Sequence, residues 1–138
     1  MKASTISVIL WIVQVLLALL FLFSGVMKFV MSPADLTKGS PFSASFIHFI
    51  GVMEILGALG LILPAATRIK PALTPLAASG LVIIMIGATW TTVATMGAKM
   101  AVLPFVTGIL AAFVAYGRWR LAPIAASRRE PVAAQTVP

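Results

Sequence analysis

The residues of this chain with chemistry to explain are a carboxylate and an ammonium set among apolar neighbours. Glu54 lies inside Gly51-Val52-Met53-Glu54-Ile55-Leu56-Gly57-Ala58-Leu59-Gly60-Leu61-Ile62-Leu63, otherwise apolar or small, and Lys28 closes the preceding apolar run in Ser24-Gly25-Val26-Met27-Lys28. If both lie in a membrane, Glu54 must be neutral, reach water or meet a partner, and an acid at such depth is a functional-site candidate. Two arrangements satisfy it. Either Lys28 and Glu54 pair, directly or through water, or Lys28 snorkels to the interface while a Thr hydroxyl or water satisfies Glu54. The pair is the reading preferred.

Four further residues are pocket candidates: Gln14, His48, Trp90 and Thr91. Gln14, Phe21 and Lys28 recur every seven residues, so the polar atoms of this helix share one face. His48, the sole histidine, lies two turns before Glu54 but about 120° round the helix. A metal centre would need it to converge with Glu54, Asp35 and a fourth ligand, which the spacing does not demand, so no metal is assigned. Trp90, with Thr91 and its neighbours Thr89 and Thr92, could line a slot for a ring-shaped apolar ligand, although such residues near a span end also serve as plain interfacial groups. The seven Met residues read as packing.

Composition says what surrounds these residues. Of 138 residues, 61% are hydrophobic and 9% charged, where a soluble domain carries roughly 25% charged. The chain is an integral membrane protein. Its net charge of +7 is scattered through short loops and a tail rather than gathered on a face, so topology accounts for it and no nucleic-acid partner is expected. The absence of cysteine excludes disulfides, thiol redox chemistry and Cys-ligated metals or iron–sulfur clusters. No Gly-rich phosphate loop and no Ser/His/acid order is present.

Four spans of about 20 residues each use most of the length. The expected fold is all-α, an integral membrane four-helix bundle running up-down-up-down, in one domain over 1–124 with a disordered cytoplasmic tail at 125–138. The first helix is predicted over 6–31 and a turn over 32–41; the second helix starts at 42 or 46 and stops at 63, where Pro64 ends it. Pro75 stands in the first turn of a third helix reaching 95, Gly97 closes a tight hairpin, and the fourth helix covers 100–117. Gly80, Gly87, Thr91 and Thr95 form a small-residue stripe on the third, facing either the bundle or another subunit.

Lys/Arg bias sets orientation. Lys2, Arg68, Lys70, Arg118, Arg120, Arg128 and Arg129 fall on one side against Lys38 and Lys99 on the other, which places both termini in the cytoplasm, in a bacterial inner (plasma) membrane. Helices one and two are then antiparallel neighbours, with Lys28 and Glu54 differing in depth by roughly 8 to 14 Å at 1.5 Å per residue. A Lys side chain covers part of that gap. An internal echo, Gly25-Val26-Met27-Lys28 against Gly51-Val52-Met53-Glu54, is read as chance in so biased a composition.

Ser24-Gly25-x-x-Lys28, Glu54-x-x-Gly57 followed by a Leu-rich end and Pro64, Gly87-Ala88, and Tyr116-Gly117-Arg118 together resemble the DoxX family and its DoxX-like relatives over roughly residues 10 to 118. The resemblance implies a four-helix membrane bundle and association with membrane redox systems, since DoxX-type proteins include a subunit of a thiosulfate:quinone oxidoreductase and partners in redox-protective membrane complexes. It maps the family's Gly/Lys motif onto Gly25 and Lys28 and its acidic position onto Glu54. Many members place Arg where this chain has Gln14, which puts in doubt any role that needs a second buried cation. The function expected is a subunit or accessory factor of a quinone-linked redox assembly, embedded in lipid, with other membrane subunits or further copies as partners and quinone as the candidate cofactor. A stand-alone quinone-dependent oxidoreductase, or a carrier of small apolar molecules, are the alternatives.

Overall fold

The computed structural model describes residues 2–126. Its elements are α1 (Ala3–Val30), α2 (Pro33–Thr37), α3 (Ala44–Thr67), α4 (Leu73–Met96), α5 (Ala98–Tyr116) and a closing π-turn at Gly117–Leu121. Four helices, with α5 continuing into the π-turn, are long and apolar enough to cross a membrane. α1 packs on α3, α3 on α4, α4 on α5, and α5 returns to α1, which is the expected all-α bundle. Ser7 and Arg118 are hydrogen-bonded, so α1 begins at the same end of the bundle where the last span closes.

The distribution of side chains suits lipid rather than water. Leu10, Leu17, Phe21, Leu61, Leu81 and Val114 are buried, while Leu16, Phe23, Ile83, Trp90 and Leu103 stand exposed on the outside. In a bilayer both sets are in apolar surroundings, and the helices satisfy their own backbone groups. Helix α1, at 28 residues, is about 42 Å long at 1.5 Å per residue and exceeds a hydrocarbon core of about 30 Å.

Helices α1 and α3 cross at Gly25 and Gly51, where a Cβ on Gly25 would clash with the facing helix and one on Gly51 would be tightly met. Small residues at a crossing let backbones approach where lipid supplies no hydrophobic drive. The internal echo thus coincides with a contact. Its two glycines meet, and its two charges follow three residues later on antiparallel helices.

Two expectations are corrected. Pro64 does not end the second span: α3 runs through it to Thr67. Pro64 has no N–H for the Gly60 carbonyl one turn back, and the Thr74 hydroxyl of α4 donates to that carbonyl at 2.9 Å instead. The span between α1 and α3 is not all turn. Ser32 caps α2 by accepting from the Asp35 N–H, with Pro33 at the first helical turn. On α4, Ala78, Leu81 and Met85 turn into the core, while a Cβ at Gly80 or Gly87 would meet no atom of a neighbouring helix. Gly97, at φ +93°, separates α4 from α5 in a conformation a Cβ would strain. The tail expected to be disordered lies, from residue 127 on, outside the described residues.

Candidate functional site

The register set at Gly25 and Gly51 brings the two charges within reach of one another. Lys28 Nζ lies 2.7 Å from Glu54 Oε2. Ser24, one turn before Lys28, stands between them: Lys28 donates to its hydroxyl at 2.9 Å, and that hydroxyl donates to Glu54 Oε2 at 3.2 Å. The Glu54 side chain is 4% exposed and that of Lys28 21%. The carboxylate is therefore held deep, while the ammonium reaches toward the end of α1.

Lys28 and Glu54 border a cavity of about 450 Å³ lined by residues of α1, α3 and α4 and by Phe42, within the roughly 300 to 1,000 Å³ usual for small-molecule sites. Phe42 and Phe46 wall it with rings 4.8 Å apart. Gly87 and Ala88 supply a floor without bulk, and Thr91 and Thr92 lie beside them. Thr92 turns its hydroxyl back to the Ala88 carbonyl, whereas the Thr91 hydroxyl has no such partner among the described residues. The hydrogen bonds of Glu54 all go to Oε2, leaving Oε1 as an acceptor. The cavity is thus apolar with one open donor, one open acceptor and a cation at its edge.

The predicted pocket residues do not converge on this place. Thr91 lines the cavity, but Trp90, one residue and about 100° away on the helix, is 76% exposed and faces a separate apolar groove between α4 and α5. His48 stacks on Phe29 with ring centroids 5.0 Å apart and does not line the cavity. No three His, Asp or Glu side chains gather among the described residues.

Gln14 belongs to a second polar centre, toward the other end of the bundle. It is fully buried, donates through Nε2 to the Leu61 carbonyl and accepts at Oε1 from Arg118 Nε, both at 2.6 Å. Arg118 was counted as a loop cation, yet it is 3% exposed. The π-turn at Gly117–Leu121 carries it inward, where Gly117 lies flat against Leu10. Its guanidinium also donates to Ser7 Oγ at 2.9 Å and to the carbonyls of Ala122 and Ser7 at 3.0 and 3.3 Å, and it lies 5.5 Å from the Trp11 ring. A second buried cation is therefore present after all, delivered by the last span onto Gln14.

The sequence profile of the DoxX-like family matches residues 12–114. This chain belongs to the DoxX-like family. The match contains Gln14, Lys28, Glu54 and the whole cavity wall, while Ser7 and Arg118 lie outside it. No curated protein and no solved structure matches the chain.

Proposed function

We propose that this DoxX-like chain is an accessory subunit of a quinone-linked redox assembly, and that it holds a quinone or quinol head group in the cavity beside Lys28 and Glu54. The observation that carries the reading is that a salt-bridged acid and base close one end of an otherwise apolar cavity with aromatic walls. Phe42 and Phe46 line it, and aromatic contacts favour a flat ring as guest. Thr91 can donate to a carbonyl oxygen, Lys28 supplies positive charge beside it, and Glu54 Oε1 can accept from a hydroxyl. A quinone contributes two-electron, two-proton redox chemistry when bound. The chain contributes orientation, exclusion of water and a carboxylate oxygen open to a hydroxyl donor.

An accessory role is favoured over stand-alone catalysis because the sequence has no cysteine and a single histidine, so side chains that commonly anchor electron carriers are scarce. For orientation, moving Arg118 out of the loop count leaves six cations, Lys2, Arg68, Lys70, Arg120, Arg128 and Arg129, on the side of the termini against Lys38 and Lys99 on the other. The bias still favours cytoplasmic termini in an inner membrane.

Titration of the purified chain with a short-chain ubiquinone and a short-chain menaquinone, read by thermal shift, tests the site. Saturable stabilisation that disappears in Ala88→Phe, which fills the cavity, and weakens in Thr91→Val is the expected result. Undiminished binding by Ala88→Phe would remove the cavity from the proposal. Native mass spectrometry of the chain extracted from its own membrane tests the subunit role through copurifying proteins.

A further inference from the structure

We infer that the end of the bundle holding the termini carries a second site, for the phosphate group of an anionic phospholipid. The first observation is a buried charge without an opposite charge among the described residues. The four hydrogen bonds of Arg118 go to neutral oxygens, those of Gln14, Ser7 and Ala122. Of the described carboxylates, Asp35 bonds Ser32 and Glu54 bonds Lys28, both toward the other end of the bundle. A guanidinium in low dielectric with only neutral partners keeps an outward electrostatic demand for an anion.

The second observation is a cavity placed to meet that demand. Ser7, whose hydroxyl and carbonyl both accept from Arg118, also lines a space of about 340 Å³ together with Trp11, Ala65, Arg68 and Pro123. Arg68 thus brings a second guanidinium to the wall of a cavity that shares Ser7 with the buried Arg118. It caps α3 with φ 57°, a left-handed conformation normally left to Gly or Asn. Lys70 and Arg120, both exposed, extend the positive surface around it. The cavity sits at the ends of α1 and α3, where a bilayer presents its head groups, and basic pockets between spans at that level suit anionic lipid phosphates. The inference is independent of the quinone reading, since it involves other residues.

The test uses the full chain in mild detergent, with phosphatidylglycerol, phosphatidylcholine or inorganic phosphate added and stability read by thermal melting and native mass spectrometry. Phosphatidylglycerol is expected to bind and to raise the melting temperature, to lose effect as salt rises, and to bind about five-fold more weakly in Arg68→Gln, the factor matching about 1 kcal/mol per surface cation. Lys70→Gln changes the same charge outside the cavity wall and should weaken binding less. Equal loss in the two variants, equal binding of phosphatidylcholine, or reproduction of the whole effect by inorganic phosphate would each overturn the assignment. Because Arg68 is exposed, its replacement leaves the core intact.

Discussion

Gly25 and Gly51 touch across the crossing of α1 and α3: a Cβ on Gly25 would lie 2.7 Å from the Gly51 carbonyl oxygen, and one on Gly51 would lie 3.2 Å from the Gly25 carbonyl oxygen. That contact sets the register for Lys28 and Glu54. The helices must separate to admit a methyl group, so Gly25→Ala should cost about 1–3 kcal/mol, the usual range for overpacking. The Gly51→Ala change, with more room, should cost less. Thermal melting of both variants in one detergent checks the order.

Lys28 and Glu54 should respond unequally to loss of their partner. Removing Lys28 strands a carboxylate that is 4% exposed, whereas removing Glu54 leaves an ammonium already 21% exposed, which can shift outward. Lys28→Met is therefore expected to cost about 3 kcal/mol and Glu54→Gln about 1 kcal/mol, and the double variant should recover part of the larger loss. A double-mutant cycle on folded yield and melting temperature measures it; strict additivity would deny the pairing.

Gln14 serves two partners at once, the Leu61 carbonyl and the Arg118 guanidinium. Replacing it with Leu leaves a buried charged donor short of an acceptor. Such bonds to charged groups contribute about 1.5–3 kcal/mol, so Gln14→Leu should lower stability by about 2 kcal/mol. Gln14→Glu, which still accepts from Arg118, should be milder. Protease resistance of the last span, read with and without each change, reports the same contact.

Thr74 and Pro64 should be coupled although they sit on different helices. Thr74→Val deprives the Gly60 carbonyl of its donor and should cost about 1 kcal/mol. In a Pro64→Ala background the backbone N–H returns, and the same Thr74 change should become nearly neutral. Equal costs in both backgrounds would show that the hydroxyl is not replacing the missing N–H.

What could be read in the sequence was the part governed by local rules. Hydropathy and length fix four spans, and short connections force neighbours to be antiparallel, so Lys28 and Glu54 could be placed together. Arg118 escaped because an Arg after Tyr-Gly reads as the end of a span. Its signal was indirect: Gln14, on an inward face, needed a polar partner. Pro64 was misread for a related reason, since the group that relieves it comes from another helix. Trp90 and Thr91 adjoin in sequence, but helical rotation sends one to lipid and the other to the cavity. Backbone carbonyls satisfied across helices leave no periodic trace.

Along α1 the buried positions between Gln14 and Ser24 are Leu17, Ala18 and Phe21, a stretch of about 15 Å at 1.5 Å per residue. Leu61, Leu81 and Met85 close the same level from α3 and α4. Along α1 this layer offers no hydroxyl, carboxylate or amide side chain, so apolar packing separates the two polar centres on that helix. The two polar centres are joined by no side-chain hydrogen bond among the described residues. A change at one centre, such as loss of Lys28, should therefore leave the contacts of Gln14 with Arg118 in place.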